Sequence, residues 1–275
     1  MAVGTLLDIA ILCLLLVILV LLAVIAQRLR GHLWQMQAFL DRGPARSVHL
    51  DALRDDLSRQ IAGTTNDAVT AAQSATALVQ LGVPFPVFLG DASLDAFMAR
   101  ALVSSLLEYQ PRVIVELGSG SSTVIIARTL MVLGMDDVLH LSVDHEAHYL
   151  DISRRWATAA GVAERVTFVH APLHPGPSDG PAWYSGIEDH LGGRSIDFLF
   201  IDGPPAHRPG MGAARYPALP SLHRQLSASC VVLLDDANRP GERDIVQRWQ
   251  REFPEFSLTT STRGKGYALL TRGGA

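Results

Sequence analysis

Lysine is almost missing from this chain of 275 residues: Lys265 stands alone, and every other basic side chain is an arginine. Basic residues number 23 against 27 acidic ones, a net charge of −4, and without a basic excess to neutralise phosphates a general nucleic-acid binder is argued against. Cysteine is scarce as well. Cys13 lies in an apolar N-terminal run and Cys230 opens a buried-looking strand, which leaves neither a disulfide framework nor a zinc site. One absence is local. Gly118 and Gly120 are followed by Thr123 where the dinucleotide fingerprint requires a third glycine, so a nucleotide-dependent oxidoreductase loses its most specific residue.

What the chain has in quantity is hydrophobic side chains, 48% of residues, enough for a large core. Residues Ile9 to Ala26 form an unbroken apolar run of 18, and Thr5 to Leu7 can extend it towards the length a bilayer core requires. No Lys or Arg precedes the run, unlike a cleaved signal peptide, while Arg28, Arg30, Arg42 and Arg46 follow it. The expectation is a single-pass transmembrane anchor, with membrane contact through residues 5–26 and the bulk of the protein on the cytoplasmic side. Residues 31–82 read as a helical juxtamembrane linker, broken at Gly43-Pro44, in which Leu50, Leu53, Leu57 and Ile61 share one side. That stripe must pack against either the following domain or a second copy of the chain in a homodimer. Pro84 and Pro86 force an extended link, which divides the chain into 1–30, 31–82 and 83–275.

Beyond that link, Asp91 or Ser93 caps a helix whose Leu94, Phe97, Met98, Ala101, Leu102, Ser105 and Leu106 lie on one face. Val113 to Val115 make a buried parallel strand that ends at Glu116, and Gly118 and Gly120 turn it into the next helix. Further strands are predicted at Val138–Val143, Arg165–Val169, Ile196–Ile201 and Cys230–Leu234. Helices are predicted at Ile152–Ala160, Pro217–Leu226 and Glu242–Glu252, a loop over Pro172–Gly186, and a closing hairpin from Phe256–Thr262 and Gly266–Thr271. Alternation of this kind builds a parallel sheet with helices on both faces, whose ligands bind at the carboxyl ends of the strands. Four of those ends carry acids: Glu116, Asp144, Asp202 and Asp235-Asp236. Unpaired carboxylates are costly there, so something cationic or rich in hydroxyls belongs beside them.

The segment from Val83 to Arg272 resembles a class I S-adenosylmethionine (SAM)-dependent methyltransferase, in the branch whose first motif reads E-L-G-S-G-x-S-T and whose fourth strand ends in I-D-G-P. The matching pieces are V-E-L-G-S-G-S-S-T at 115–123, L-S-V-D-H-E at 141–146, D-F-L-F-I-D-G-P-P at 197–205 and V-V-L-L-D-D-A-N-R at 231–239. The resemblance implies a Rossmann-like, doubly wound, seven-stranded α/β sheet with a C-terminal antiparallel hairpin, here preceded by the transmembrane helix and helical linker. It implies that Glu116, Gly118, Ser119 and Gly120 hold the methionine end of SAM, with Ser122 and Thr123 close behind. Asp144 would take the ribose hydroxyls, and His145 and Ala171 would lie near the adenine.

In the metal-dependent catechol-type and caffeoyl-type O-methyltransferases, an acid ending the fourth strand and an Asp-Asn pair ending the fifth bind a divalent cation. The resemblance thus implies Mg²⁺ at Asp202, Asp235 and Asp236, whose hard oxygens suit that ion. This chain departs from the pattern twice. It has Asp236 where the pair has Asn, and no lysine near Asp202 to act as base, which leaves His207 as the nearest replacement beside Asp202. The competing arrangement has Asp202 alone contacting substrate while Asp235 or Asp236 caps the next helix. Arg208, Arg215 and Arg239 flank the same edge, either as anchors for a substrate phosphate or carboxylate or as solvated surface. The expected function is O-methylation of a small or membrane-associated acceptor, such as a lipid-linked or glycan molecule. A non-catalytic membrane-anchored scaffold is the other class, and the acids at four strand ends argue against it.

Overall fold

A parallel strand covered on both faces must be apolar at nearly every position, and β1 (Val113–Leu117), β6 (Ile196–Ile201) and β7 (Leu226–Asp235) meet that condition along most of their length. A computed structural model of the chain describes residues 22–23, 25–34, 47–83, 93–176, 180–206 and 210–273. The chain divides into two units, residues 1–65 and 66–275, and the second contains the sheet. The remaining sheet strands are β2 (Leu139–Asp144), β3 (Thr167–His170), β8 (Ser257–Ser261) and β9 (Tyr267–Arg272), while β4 (Leu173–His174) and β5 (Trp183–Tyr184) form a separate antiparallel ladder. The strand order is β3-β2-β1-β6-β7-β9-β8. Pairing is parallel from β3 through β7 and antiparallel where β9 inserts between β7 and β8.

Alternation along the strands sorts the side chains onto two faces. Ile114, Phe198, Phe200, Val231 and Leu233 face one way, packing with Met98, Leu102 and Leu106 of α2 (Ala96–Tyr109) and Ile125, Ile126 and Leu130 of α3 (Ser121–Val132). Val115, Leu117, Leu199, Ile201, Val232 and Leu234 belong to the other core, with Leu219 and Leu222 of α5 (Ala218–Leu222) and Ile245, Val246 and Trp249 of α6 (Pro240–Glu252). Helix α4 (Ala147–Ala159) packs through Ala157 on Val124 and Ala127 of α3. The Trp249 indole is fully buried and donates to the Tyr216 carbonyl at 3.0 Å. That bond holds the segment before α5 beneath the carboxyl ends of the sheet.

Helix α1 (Ser47–Val79) is continuous over 33 residues, and its exit is clamped by Arg128, which donates to the carbonyls of Leu81 at 2.7 Å and Gly82 at 3.0 Å. Among the described residues no helix is long and apolar enough to cross a membrane. Most of the run Ile9–Ala26 expected to do so lies outside the described residues, as do the Gly43-Pro44 break and the link at Pro84 and Pro86.

Several boundaries differ from expectation. The cap of α2 is Asp95, neither Asp91 nor Ser93, because one carboxylate oxygen accepts the Met98 N–H at 2.8 Å while the other accepts the Lys265 N–H at 2.6 Å. Helix α4 starts at Ala147, one turn earlier than its apolar pattern indicates, since Ala147, His148 and Tyr149 face solvent. The helix expected over Pro217–Leu226 ends at Leu222, and β7 already begins at Leu226.

At the centre, β1 and β6 bring two glycines together. Gly118 has φ +91, and a Cβ there would lie 2.9 Å from the Gly203 nitrogen. Replacing Gly118 with Ala is therefore expected to cost at least about 2 kcal/mol, from the positive φ and the backbone contact together. Urea unfolding of the two proteins checks this, and equal midpoints would contradict the contact.

Candidate active site

The turn after β1 is tied down from below. Glu116 is fully buried, and its Oε2 accepts the Thr123 hydroxyl at 2.8 Å; the same Thr123 oxygen accepts the Gly120 N–H at 3.1 Å and lies 3.1 Å from the Ser142 hydroxyl. Thr123 thus closes the turn from the first coil of α3, which is what the residue in place of the missing glycine does here. His140 reaches the same carboxylate, its Nε2 at 3.4 Å from Oε2. The second oxygen, Oε1, is buried without a hydrogen-bond partner, and so is His140 Nδ1. Ser122 is buried at the start of α3. Above Gly120 the space is open, with nothing within 4 Å of the position a Cβ would take. Free N–H groups at that helix start make it a place where a carboxylate can bind.

Asp144 ends β2 as expected, but its carboxylate is already engaged. Oδ2 accepts the Ser119 N–H at 2.9 Å and its hydroxyl at 2.8 Å, and Oδ1 accepts the Glu146 N–H at 3.0 Å; His145 Nδ1 lies 3.3 Å from Oδ1 without a hydrogen bond. A carboxylate has about four acceptor sites, so two ribose hydroxyls can be taken only if the Ser119 hydroxyl turns away. Ala171 is buried and donates its N–H to the Asp144 carbonyl at 2.8 Å, and His170 Nε2 lies 3.2 Å from the His145 carbonyl. The residues assigned to ribose and adenine therefore form one contiguous wall.

Tyr184 completes it, a residue that sequence reasoning placed only in a loop. It pairs with Leu173 in the β4–β5 ladder, its ring meets His145 edge-on at 6.1 Å, and a Cβ on Gly203 would run into its hydroxyl. That hydroxyl is buried and has no partner. Burial holds its pKa well above the ordinary tyrosine value; the charges of Asp144 and Asp202 add to the effect and Arg215 opposes it. It is thus a permanent donor beside the glycine turns. An aromatic residue in a Pro- and Gly-rich loop was the available signal.

Asp202, Asp235 and Asp236 converge as expected, each offering a ligand atom within 4.8 Å of the others. Between them sits Arg215, its side chain 3% exposed. Nη2 donates to the Asp202 carbonyl at 2.6 Å and carboxylate at 3.1 Å, Nη1 to Asp236 Oδ2 and the Asp235 carbonyl, both at 3.1 Å, and Nε to the Pro204 carbonyl at 3.3 Å. Arg239 adds a second guanidinium at 2.8 Å from Asp236 Oδ2, and the buried Glu242 lies 3.8 Å from both cations. Arg215 is therefore neither a substrate anchor nor solvated surface. Glu242, seven residues beyond Asp235, was not among the expected site residues because it reads as the polar first turn of a helix.

The same geometry tests the expected Mg²⁺. A divalent ion about 4 Å from a guanidinium is repelled by roughly 8 kcal/mol at an effective dielectric of 20, so the two cations compete for one space. Residues that already enclose Arg215 do not fit the ion. Burial lifts the Asp202 pKa to about 6, with Arg215 and Lys265 opposing and Asp236 and Glu116 adding. Asp235 is raised well above the carboxylate range by burial, then by Asp202 and Asp236. Lys265 corrects the expectation of no lysine near Asp202: the tip of the β8–β9 hairpin brings it close enough to act on that carboxylate, and its Nζ donates to the Ser93 carbonyl at 2.6 Å. His207 and Arg208 lie outside the described residues.

A family model described as a methyltransferase domain matches residues 115–237, the stretch from β1 to just past Asp236. The O-methyltransferase from Bacillus cereus, solved in complex with SAH, is 16% identical, with 74% of this chain and 91% of that chain covered and a TM-score of 0.51. The O-methyltransferase TomG from Streptomyces achromogenes, involved in tomaymycin synthesis and solved with SAM, is 18% identical over 74% of this chain and 90% of that one, with a TM-score of 0.50. A comparison with curated proteins finds no match. The second unit thus has the class I methyltransferase fold, and the methyltransferase-domain model matches part of it.

Two outcomes follow from the polar atoms. Tyr184→Phe removes an unpartnered buried hydroxyl and is expected to stabilise the ligand-free protein by about 1 kcal/mol in urea unfolding, whereas a loss of that size would mean the hydroxyl has a partner. For Asp202 the folded pKa of about 6 exceeds the unfolded value of about 3.9, so its contribution is complete below about pH 4 and is lost as pH rises through about 6. The melting temperature of the wild type minus that of Asp202→Asn should fall between about pH 4 and 7 and level off above. A difference that grows with pH would reverse the sign of the shift.

Proposed function

We propose that this chain is an SAM-dependent methyltransferase which methylates an oxygen of a small or membrane-associated acceptor, held at the cytoplasmic face of a membrane by residues 5–26. The observation that carries the reading is the methyltransferase-domain match over residues 115–237, which encloses Glu116, Asp144, Asp202, Asp235 and Asp236. The residues present fit the cofactor. The open space above Gly120, the free start of α3 and the unpartnered Tyr184 hydroxyl together offer donors to a carboxylate and to polar atoms lying against the turn.

When bound, SAM supplies an electrophilic methyl group on a sulfonium. Gly118, Ser119 and Gly120 receive its methionine end, with the approach open where a Cβ on Gly120 would stand, and Ser122 and Thr123 support that turn from behind. Asp144 accepts the ribose hydroxyls, with His145, Ala171 and Tyr184 walling the adenine side. Asp202 is the base. With a pKa near 6 and a quarter of its side-chain surface open (25%), it takes up the proton that the acceptor hydroxyl loses, while Arg215 holds its other oxygen. His207 is the second candidate for that proton. A lipid-linked or glycan acceptor is favoured because an anchored enzyme meets membrane-borne substrates at raised effective concentration. The stripe of α1 that contains Leu57 and the exposed Ile61 is the surface on which a second copy would pack.

Calorimetric titration of SAM and SAH into the full chain in detergent micelles tests this. Micromolar binding is expected, weakened at least about tenfold, or about 1.4 kcal/mol, by Asp144→Ala. An absence of heat from the wild type with either compound would sink the methyltransferase reading.

A further inference from the structure

We infer that Arg215 is the resident cation of this site, occupying the place among Asp202, Asp235 and Asp236 where metal-dependent O-methyltransferases hold a divalent ion, so that the centre is complete without metal. The inference deepens the methyltransferase reading and takes its importance from it, but its test needs neither cofactor nor acceptor.

A guanidinium has five N–H groups in a fixed planar fork. Arg215 makes five hydrogen bonds, to Pro204, to the Asp202 carbonyl and carboxylate, to the Asp235 carbonyl and to the Asp236 carboxylate. Every acceptor comes from the end of β6 or β7 or from the loop just after β6, the two strand ends between which a metal would be bound. The acids are also occupied among themselves. Asp235 Oδ1 accepts the Asp236 N–H at 2.7 Å, and Asp236 Oδ2 carries both Arg215 and Arg239.

Nor is Arg215 a loose side chain that an ion would push aside. It is 3% exposed, and the next residue, Tyr216, is fixed at three points. Its carbonyl accepts the Trp249 indole at 3.0 Å, its hydroxyl donates to Glu252 at 2.7 Å, and Arg248 stacks on its ring at 3.7 Å. The fold delivers the guanidinium preformed, as a metal would otherwise be delivered by ligands. Arg215 is a positioning residue: it anchors one oxygen of Asp202, whose side chain stays a quarter exposed.

Mn²⁺ provides the probe, followed by its paramagnetic resonance signal in titrations of the full chain in micelles with no cofactor added. The wild type is expected to leave Mn²⁺ free up to about 1 mM, and Arg215→Met, which empties the cage of its cation, to gain binding at least about tenfold tighter. Adding Asp236→Asn to Arg215→Met should remove that gain. Uptake by the wild type well below about 1 mM that Asp236→Asn abolishes would overturn the inference, and so would a folded Arg215→Met that gains nothing. Should Arg215→Met not fold, the wild-type titration decides alone by the same criterion. Failure of the methyltransferase reading would appear instead as absent SAM and SAH heats, with the Mn²⁺ results unchanged.

Discussion

Four carboxylates gathered at one edge of a parallel sheet, three of them buried and Asp202 a quarter exposed, are the constraint around which the structure is arranged. Asp202, Asp235, Asp236 and Glu242 lie close together where β6 and β7 end, and buried ions of one sign are expensive unless opposite charge and hydrogen bonds meet them. Arg215 and Arg239 supply two positive charges, which is fewer than the acids present. The remainder is settled by the upward shift of Asp202 and Asp235, which lets protons share the work of neutralisation. The consequence reaches outward from the site. Holding Arg215 in place requires Tyr216 to be fixed, which requires the buried Trp249, which in turn sets how α6 lies on the sheet.

The polar groups at the carboxyl edge differ in how fully they are met. Around Arg215 every N–H has an acceptor and Glu242 Oε1 is left without a hydrogen-bond partner, while Asp144 is bonded to the turn that it faces. Near the glycine turns more is left unmet. Glu116 Oε1 beneath them and the Tyr184 hydroxyl beside them are buried with nothing to bond, a costly state in a folded core unless a ligand repays it. Satisfied groups make a rigid scaffold, while unsatisfied ones give a ligand something to complete. On the proposed reading, that contrast sets the cofactor against Gly118 to Gly120 and the acceptor proton beside Asp202, on the two sides of the close approach of Gly118 and Gly203.

How much of this was legible beforehand depended on whether the signal was local. The sheet was, because strands buried on both faces write themselves as V-I-V, F-L-F-I and V-V-L-L, and alternation with helices compels parallel pairing. The acids at strand ends were legible for the same reason: once a strand is located, its last residue is known. Helix starts were less so. Asp95 caps α2 while its other oxygen bonds Lys265, far along the chain, and α4 begins in an exposed turn with no apolar periodicity to mark it.

By itself, then, the sequence determined the fold class and the row of acids at the carboxyl edge, since period and polarity act over a few neighbouring residues. Only the tertiary structure decided what those acids face. Arg215 reads in the sequence as one arginine among many in a Gly- and Pro-rich stretch, Tyr184 as a loop residue, and Lys265 as the tip of a distant hairpin. Nothing within a few residues of any of them announces a partner. Their roles come from contacts closed over long separations, and a pattern of short period has no means of recording those.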